Sequence, residues 1–152
     1  MTVIEIVDAA EAQRDVLRHL GELYQYDFSE FDGEDVGDDG RYGFEHLDRY
    51  WIELDRVPLL VRVDGHWAGF VLVHTGTRHD IAEFFVMRKF RRSGVGTYVA
   101  RAVFARFPGD WQVRQVRQNP RASEFWRRAI PVPFEEDANE EGPVQQFSVE
   151  GS

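Results

Sequence analysis

The chain has 152 residues, 43% hydrophobic and 14% aromatic, with no cysteine and a formal charge of −9. That length suits one domain, 1–152, with its own core, and twelve Phe with four Trp exclude a disordered chain. The lack of cysteine excludes disulfides, thiolate zinc sites and a cysteine nucleophile, while the negative balance speaks against general nucleic-acid binding, which depends on many Lys and Arg contacts to phosphate.

The start of the chain, Met1 to Glu5, has no basic segment leading into an apolar one, and no apolar run approaches the roughly 18–20 residues of a membrane span. A soluble cytoplasmic protein without a membrane partner is expected. Val3 to Val7 is a β-branched run that reads as a strand, and Asp8 with Glu11 makes a capping pair for the next helix. Val16, Leu17, Leu20, Leu23 and Tyr24 mark one face of that helix. The stretch Asp27 to Asp39 then carries seven carboxylates and no positive residue, with glycines that argue against a long helix. It reads as a solvated acidic loop, partly docked through Phe28 and Phe31; the alternative is a lip whose summed field attracts a cation.

Phe44 to Leu54 reads as a second amphipathic helix, with Phe44, Tyr50 and Trp51 packing rather than forming an ammonium cage. Val57 to Val63 and Trp67 to His74 flank Asp64-Gly65, a hairpin signal. Asp80 to Met87 is the next strand, and Gly94 to Phe107 is a helix with Val95, Val99 and Val103 at four-residue spacing, stopped by Pro108-Gly109-Asp110. Trp111 to Arg117 alternates as a half-exposed strand. Asn119 and Pro120 supply the N-cap and first position of a further helix bearing Phe125, Trp126, Ala129 and Ile130. Pro131 and Pro133 end it, Glu135 to Glu141 is a charged turn, and Val144 to Val149 is a last strand. The order β-α-α-β-β-β-α-β-α-β-β implies an α/β layered domain with a mixed, mostly antiparallel sheet. The five histidines show no metal spacing, so no metal is expected.

The chemistry centres on residues 83–97. A strand ends in Arg88, Arg91 and Arg92, then Gly94 and Gly96 open a helix whose first N–H groups are unpaired and favour an anion. Glycine lets a ligand reach those groups, and an arginine fork suits phosphate oxygens. A tight turn with solvated arginines is the plainer reading of the same residues. The nucleotide motifs fit worse: there is no G-x-x-x-x-G-K-[ST], and a dinucleotide fingerprint from Gly94 requires glycine or alanine where Val99 stands.

From Phe84 to Thr97 the chain resembles strand four, the pyrophosphate loop and helix three of the GNAT superfamily of acyl-CoA-dependent N-acyltransferases, with Arg91, Gly94 and Gly96 on its R-x-x-G-x-G/A positions. About 22 residues after Gly96, Asn119 to Trp126 is similar to the N-x-x-A-x-x-F/L-Y that opens helix four of that family. The resemblance covers essentially the whole chain. It implies a GNAT-like fold and acetyl-CoA as co-substrate. Phe84, Phe85 and Val86 would run beside the pantetheine arm, with one amide, assigned to Val86, facing the thioester oxygen. Arg91, Arg92, Ser93, Gly94, Val95, Gly96 and Thr97 would hold the pyrophosphate, and Asn119 would contact the pantetheine. Position 126, usually tyrosine, would lie near the sulfur; Trp126 can donate a hydrogen bond there but no proton near neutral pH. Water, Ser123 or another hydroxyl would then protonate the thiolate, or the thiolate leaves unaided.

A lysine-like acceptor has a pKa of about 10 and must lose a proton before attacking. Glu83, expected on one face with Ile81, Phe85 and Met87, is the leading base, ahead of Asp80, Tyr24 and Tyr26. The expected function is N-acetyl transfer from acetyl-CoA to a primary, cationic amine, small-molecule or protein-borne, by direct attack in a ternary complex. The alternative, which Trp126 favours, is a non-catalytic acyl-CoA-binding sensor or partner module. A homodimer is compatible with the chain.

Overall fold

In the computed structural model, which describes residues 1–151, seven strands build one sheet. They are β1 (Ile4–Asp8), β2 (Arg56–Val63), β3 (His66–His74), β4 (His79–Val86), β5 (Gly109–Arg114), β6 (Glu135–Ala138) and β7 (Pro143–Val149), ordered β1-β2-β3-β4-β5-β7-β6. Every pairing is antiparallel except β4 with β5. Three α-helices flank the sheet: α1 (Arg14–Asp32), α2 (Val95–Arg106) and α3 (Pro120–Ala129).

Helix α1 packs Leu17 and Leu20 on one sheet face against Leu60, Phe70, Leu72 and Phe85, while α2 and α3 cover the other face. The valine spacing of α2 does what it predicts: Val95, Val99 and Val103 are buried, each such burial being worth about 1.5–3 kcal/mol. Asp64 and Gly65 both have positive φ, 50° and 83°, as the two-residue hairpin turn requires. Asn119 accepts a hydrogen bond from Ala122 N–H at 3.2 Å, and Pro120 opens α3. Among the described residues no helix is long and apolar enough to cross a membrane.

Several expectations are corrected. Asp27 to Asp32 is helical rather than loop: the glycines of the acidic stretch begin only at Gly33, which closes α1 at φ 73° with its N–H on Ser29 O. The second helix shrinks to a short 3-10 turn, Leu47–Trp51, and Leu54, placed on its apolar face, is exposed. Leu23 is likewise exposed at 47%. The cap before α1 is not the Asp8–Glu11 pair: Ala10 N–H donates to the Gln13 side chain, while Asp8 pairs with Arg106 at 2.7 Å. The first part of the charged turn, Glu135–Ala138, is a strand on the rim of the sheet.

Candidate active site

The site begins where β4 and β5 part. Their parallel pairing consists of His79 with Trp111 and Asp80 with Gln112, after which β4 is hydrogen-bonded only to β3. Met87 N–H donates to Ala68 O at 2.7 Å, and Phe85 O lies so close to Gly69 that a Cβ there would stand 1.9 Å from it. Those groups therefore face β3. Strand alternation turns the N–H groups of Phe84 and Val86 toward the opening, and Val86 O accepts from Arg91 Nε at 2.7 Å on that side.

A β-bulge also lies in β4, where Leu72 pairs with Glu83 but Val73 pairs with Ile81. The extra residue, Ala82, breaks the alternation, so Glu83 shares the α1 face with Phe85 and Met87 but not with Ile81, which joins the core beneath α2. This corrects the expected four-residue row. It also explains how a carboxylate within an apolar strand comes to meet α1: the Tyr24 hydroxyl donates to Glu83 Oε2. Burial raises the Glu83 carboxyl above its ordinary value, partly offset by the Tyr24 hydrogen bond. Burial and then the charge of Glu83 push the Tyr24 hydroxyl well up, so it stays the proton-bearing partner. Asp80, a lesser candidate, is tied to Arg114 at 2.5 Å, and Tyr26 is exposed.

Beyond β4, Arg88–Phe90 makes one 3-10 turn, Arg92 takes φ 65°, and Gly94 takes φ 84° as the residue before α2. No described residue accepts from the N–H of Gly94, Val95, Gly96 or Thr97, and no side chain caps the helix. The two glycines serve different ends. Gly94 supplies the left-handed backbone in open space, whereas a Cβ on Gly96 would stand 3.0 Å from Phe125 of α3, so Gly96 lets that helix close in. Ser93 Oγ donates to Phe90 O and the Val95 side chain is buried, and neither residue is among those that line the cavity beside Gly94, Gly96 and Thr97. Arg91 is already engaged: besides Val86 O it meets Asp27 at 2.6 Å, and Arg88 meets the other Asp27 oxygen at 2.6 Å.

One cavity of about 1500 Å³ joins these parts, larger than the roughly 300–1,000 Å³ usual for small-molecule pockets. It is lined by Glu83 to Val86, by Arg91, Arg92, Gly94, Gly96 and Thr97, and by Asn119 and Trp126. Ser123 is buried and does not line it. Trp126 stands edge-on to Phe84 at 4.9 Å, and its indole N–H finds no acceptor among the described residues, unlike those of Trp51 and Trp111, which bond main-chain carbonyls. The α1 end of the cavity adds Tyr24, Phe28, Phe31 and Phe44 with Asp27, Glu30 and Asp32, while α3 adds Arg121 and Arg128. The sequence reading did not single out Asp27, Arg121 or Arg128. Tyr24 and Asp27, three residues apart, fall on neighbouring positions of one helix face, and that spacing was the available signal.

The residues present suit a CoA-like ligand: unpaired helix-start amides and arginines for a diphosphate, and an unpaired strand edge for an extended amide-bearing arm. Residues 18–129 match the acetyltransferase (GNAT) family. No curated protein matches the chain. Among solved structures it is similar to PaiA N-acetyltransferase from Thermoplasma acidophilum in complex with coenzyme A (12% identity, 96% of this chain and 99% of that one, TM-score 0.67). It is similar to an acetyltransferase from Salmonella typhimurium that modifies the N-terminal serine of a 50S ribosomal subunit protein (12%, 97% and 95%, 0.72). It also resembles an aminoglycoside acetyltransferase from an uncultured soil metagenomic sample in complex with sisomicin (17%, 91% and 93%, 0.67).

Proposed function

Because the chain belongs to the acetyltransferase (GNAT) family, whose co-substrate is acetyl-CoA, we propose that it moves an acetyl group from acetyl-CoA to a primary, cationic amine by direct attack in a ternary complex. The whole chain serves as one N-acyltransferase domain in this reading. The observation that carries it is one cavity lined at once by the Glu83 carboxylate, by Phe84 and Val86 with their free amides, and by the Gly94 start of α2.

Each part has one task. The N–H groups of Gly94 to Thr97, with Arg91 and Arg92, hold the diphosphate. Phe84 and Val86 bond the pantetheine arm as an added strand, and Val86 N–H meets the negative charge that develops on the thioester oxygen. Asn119 flanks the arm. Glu83 takes the proton of the acceptor ammonium, directly or through water, and its raised carboxyl brings it nearer the pH at which a base is useful. Tyr24 holds Glu83 in place. Glu30 and Asp32, which line the cavity, attract the cation, and Phe28, Phe31 and Phe44 offer it apolar and cation–π surface. The Trp126 N–H donates a hydrogen bond toward the departing sulfur without giving up a proton. Aminoglycosides and protein amino groups, the acceptor chemistry of similar folds, both meet these requirements.

Free-thiol release from acetyl-CoA across a panel of amines tests the proposal: wild type releases thiol with at least one amine, and Glu83→Gln does not while still binding CoA. The missing hydroxyl at Trp126 favours a second reading, an acyl-CoA-binding sensor or partner module. Tight CoA binding with no thiol release from any amine, and no effect of Glu83→Gln, would decide for that module.

A further inference from the structure

The reaction as set out gives Asp27 no task, although this carboxylate sits where the two ends of the cavity meet. Its Oδ1 accepts from Arg88 Nε at 2.9 Å and Nη2 at 2.6 Å, and its Oδ2 accepts from Arg91 Nη2 at 2.6 Å. All three residues line the cavity. The inference rests on reading residues 91–97 as the diphosphate site. We propose that Asp27 is an exchangeable counter-ion, which occupies Arg91 in the free protein and yields it to the CoA diphosphate, so that CoA binding and the end of helix α1 respond to each other.

Three features support exchange over permanent bracing. Asp27 divides its oxygens between two cations, so loss of Arg91 leaves Arg88 in place and creates no unpaired anion. That matters at the C-terminal end of α1, where the helix already presents negative partial charge and Glu30 and Asp32 add more. Second, Arg91 has a separate hold on Val86 O, which keeps its guanidinium at the turn whichever anion it faces. Third, the Arg91 side chain is 37% exposed and that of Asp27 23%, and a pair partly open to solvent is weak enough to be broken by a ligand with two phosphate charges. Tyr24, one turn earlier on α1, holds Glu83, so the last turn of α1 that answers to the diphosphate is continuous with the positioning residue of the proposed base.

Bracing and exchange predict opposite signs. If Asp27 merely orients Arg91 for the ligand, removing its charge weakens CoA binding; if it competes, removal strengthens it. Isothermal titration of CoA at fixed ionic strength should give Asp27→Asn an affinity about threefold to fivefold tighter than wild type, the larger figure being about 1 kcal/mol. Arg91→Gln should bind CoA more weakly, and adding Asp27→Asn to it should give no gain. A gain that survives in the Arg91→Gln background would be general charge repulsion and would overturn the exchange. Asp27→Ser, neutral and shorter, should repeat the sign. Hydrogen exchange supplies an independent readout: CoA should loosen the last turn of α1, residues 28–32, in wild type and leave it unchanged in Asp27→Asn. A wild type that binds CoA while Asp27→Asn binds equally or less tightly overturns the role of Asp27 alone. A wild type that does not bind CoA overturns the diphosphate site, and this inference with it.

Discussion

At the α2 end of the cavity the ligand-facing groups are main-chain N–H donors and arginines; at the α1 end they are carboxylates among aromatic rings. The first end is built from consecutive residues, Arg88 to Thr97, whereas the second is assembled from α1, β4 and the loop that brings Phe44 over Gly21. The contrast separates two tasks. In the proposed reaction, a donor array set by helix geometry recognises one invariant anion, while side chains gathered from distant segments can be changed one at a time to suit an acceptor.

Glu83→Gln tests that division most severely. Turnover should fall by about 10²–10⁴-fold with CoA affinity unchanged, measured by thiol release and titration. The same change should raise stability. Burial favours the protonated carboxyl in the folded state, so the folded chain binds that proton more tightly than the unfolded chain. Stability from Glu83 is therefore full below the ordinary carboxylate range and is lost as pH rises through the raised value. A neutral glutamine removes the loss, and calorimetry at pH 7 should show a Tm higher by about 2–4 °C. A lower Tm with normal turnover would erase the proposed distinction between the two ends.

Gly94→Val acts at the other end, where φ 84° strains any branched residue by about 1–3 kcal/mol. CoA affinity should drop by about tenfold or more while circular dichroism stays that of a folded protein. Trp126→Phe removes one neutral donor and should slow thiol release by about twofold to fivefold, with the affinity for CoA nearly kept. The smallest expected effect is that of Tyr24→Phe. Its hydroxyl lowers the Glu83 pKa, so its loss should move the acid limb of the kcat/KM profile to higher pH. A shift to lower pH would mean that Tyr24 does not act through Glu83.

What the sequence disclosed follows the same line. The strand, turn and helix from Glu83 to Phe107 were legible because their signals are local: apolar run, arginines, glycines, valines at four-residue spacing. Asn119 and Pro120 announced α3 for the same reason. The α1 end was not legible, since Tyr24 and Glu83 lie 59 residues apart and Asp27 and Arg91 lie 64 apart. The carboxylates of Asp27 to Asp32 read as solvated loop, although two of the cations that offset one of them come from the far side of the cavity. The bulge at Ala82 has no sequence mark, and without it Glu83 is assigned to a row that includes Ile81.

The parting of β4 from β5 bears on solubility as well. Unpaired strand amides normally invite another chain to pair with them, and the outer strand β6 counters this with exposed Glu135, Glu136 and Asp137. β4 needs no such guard. Its bare side opens inward, with β5 and β7 beyond the gap, so a neighbouring molecule cannot slide alongside it as it could at the rim. The protein thus keeps an uncovered stretch of strand backbone inside the sheet rather than at its rim, where pairing between molecules starts.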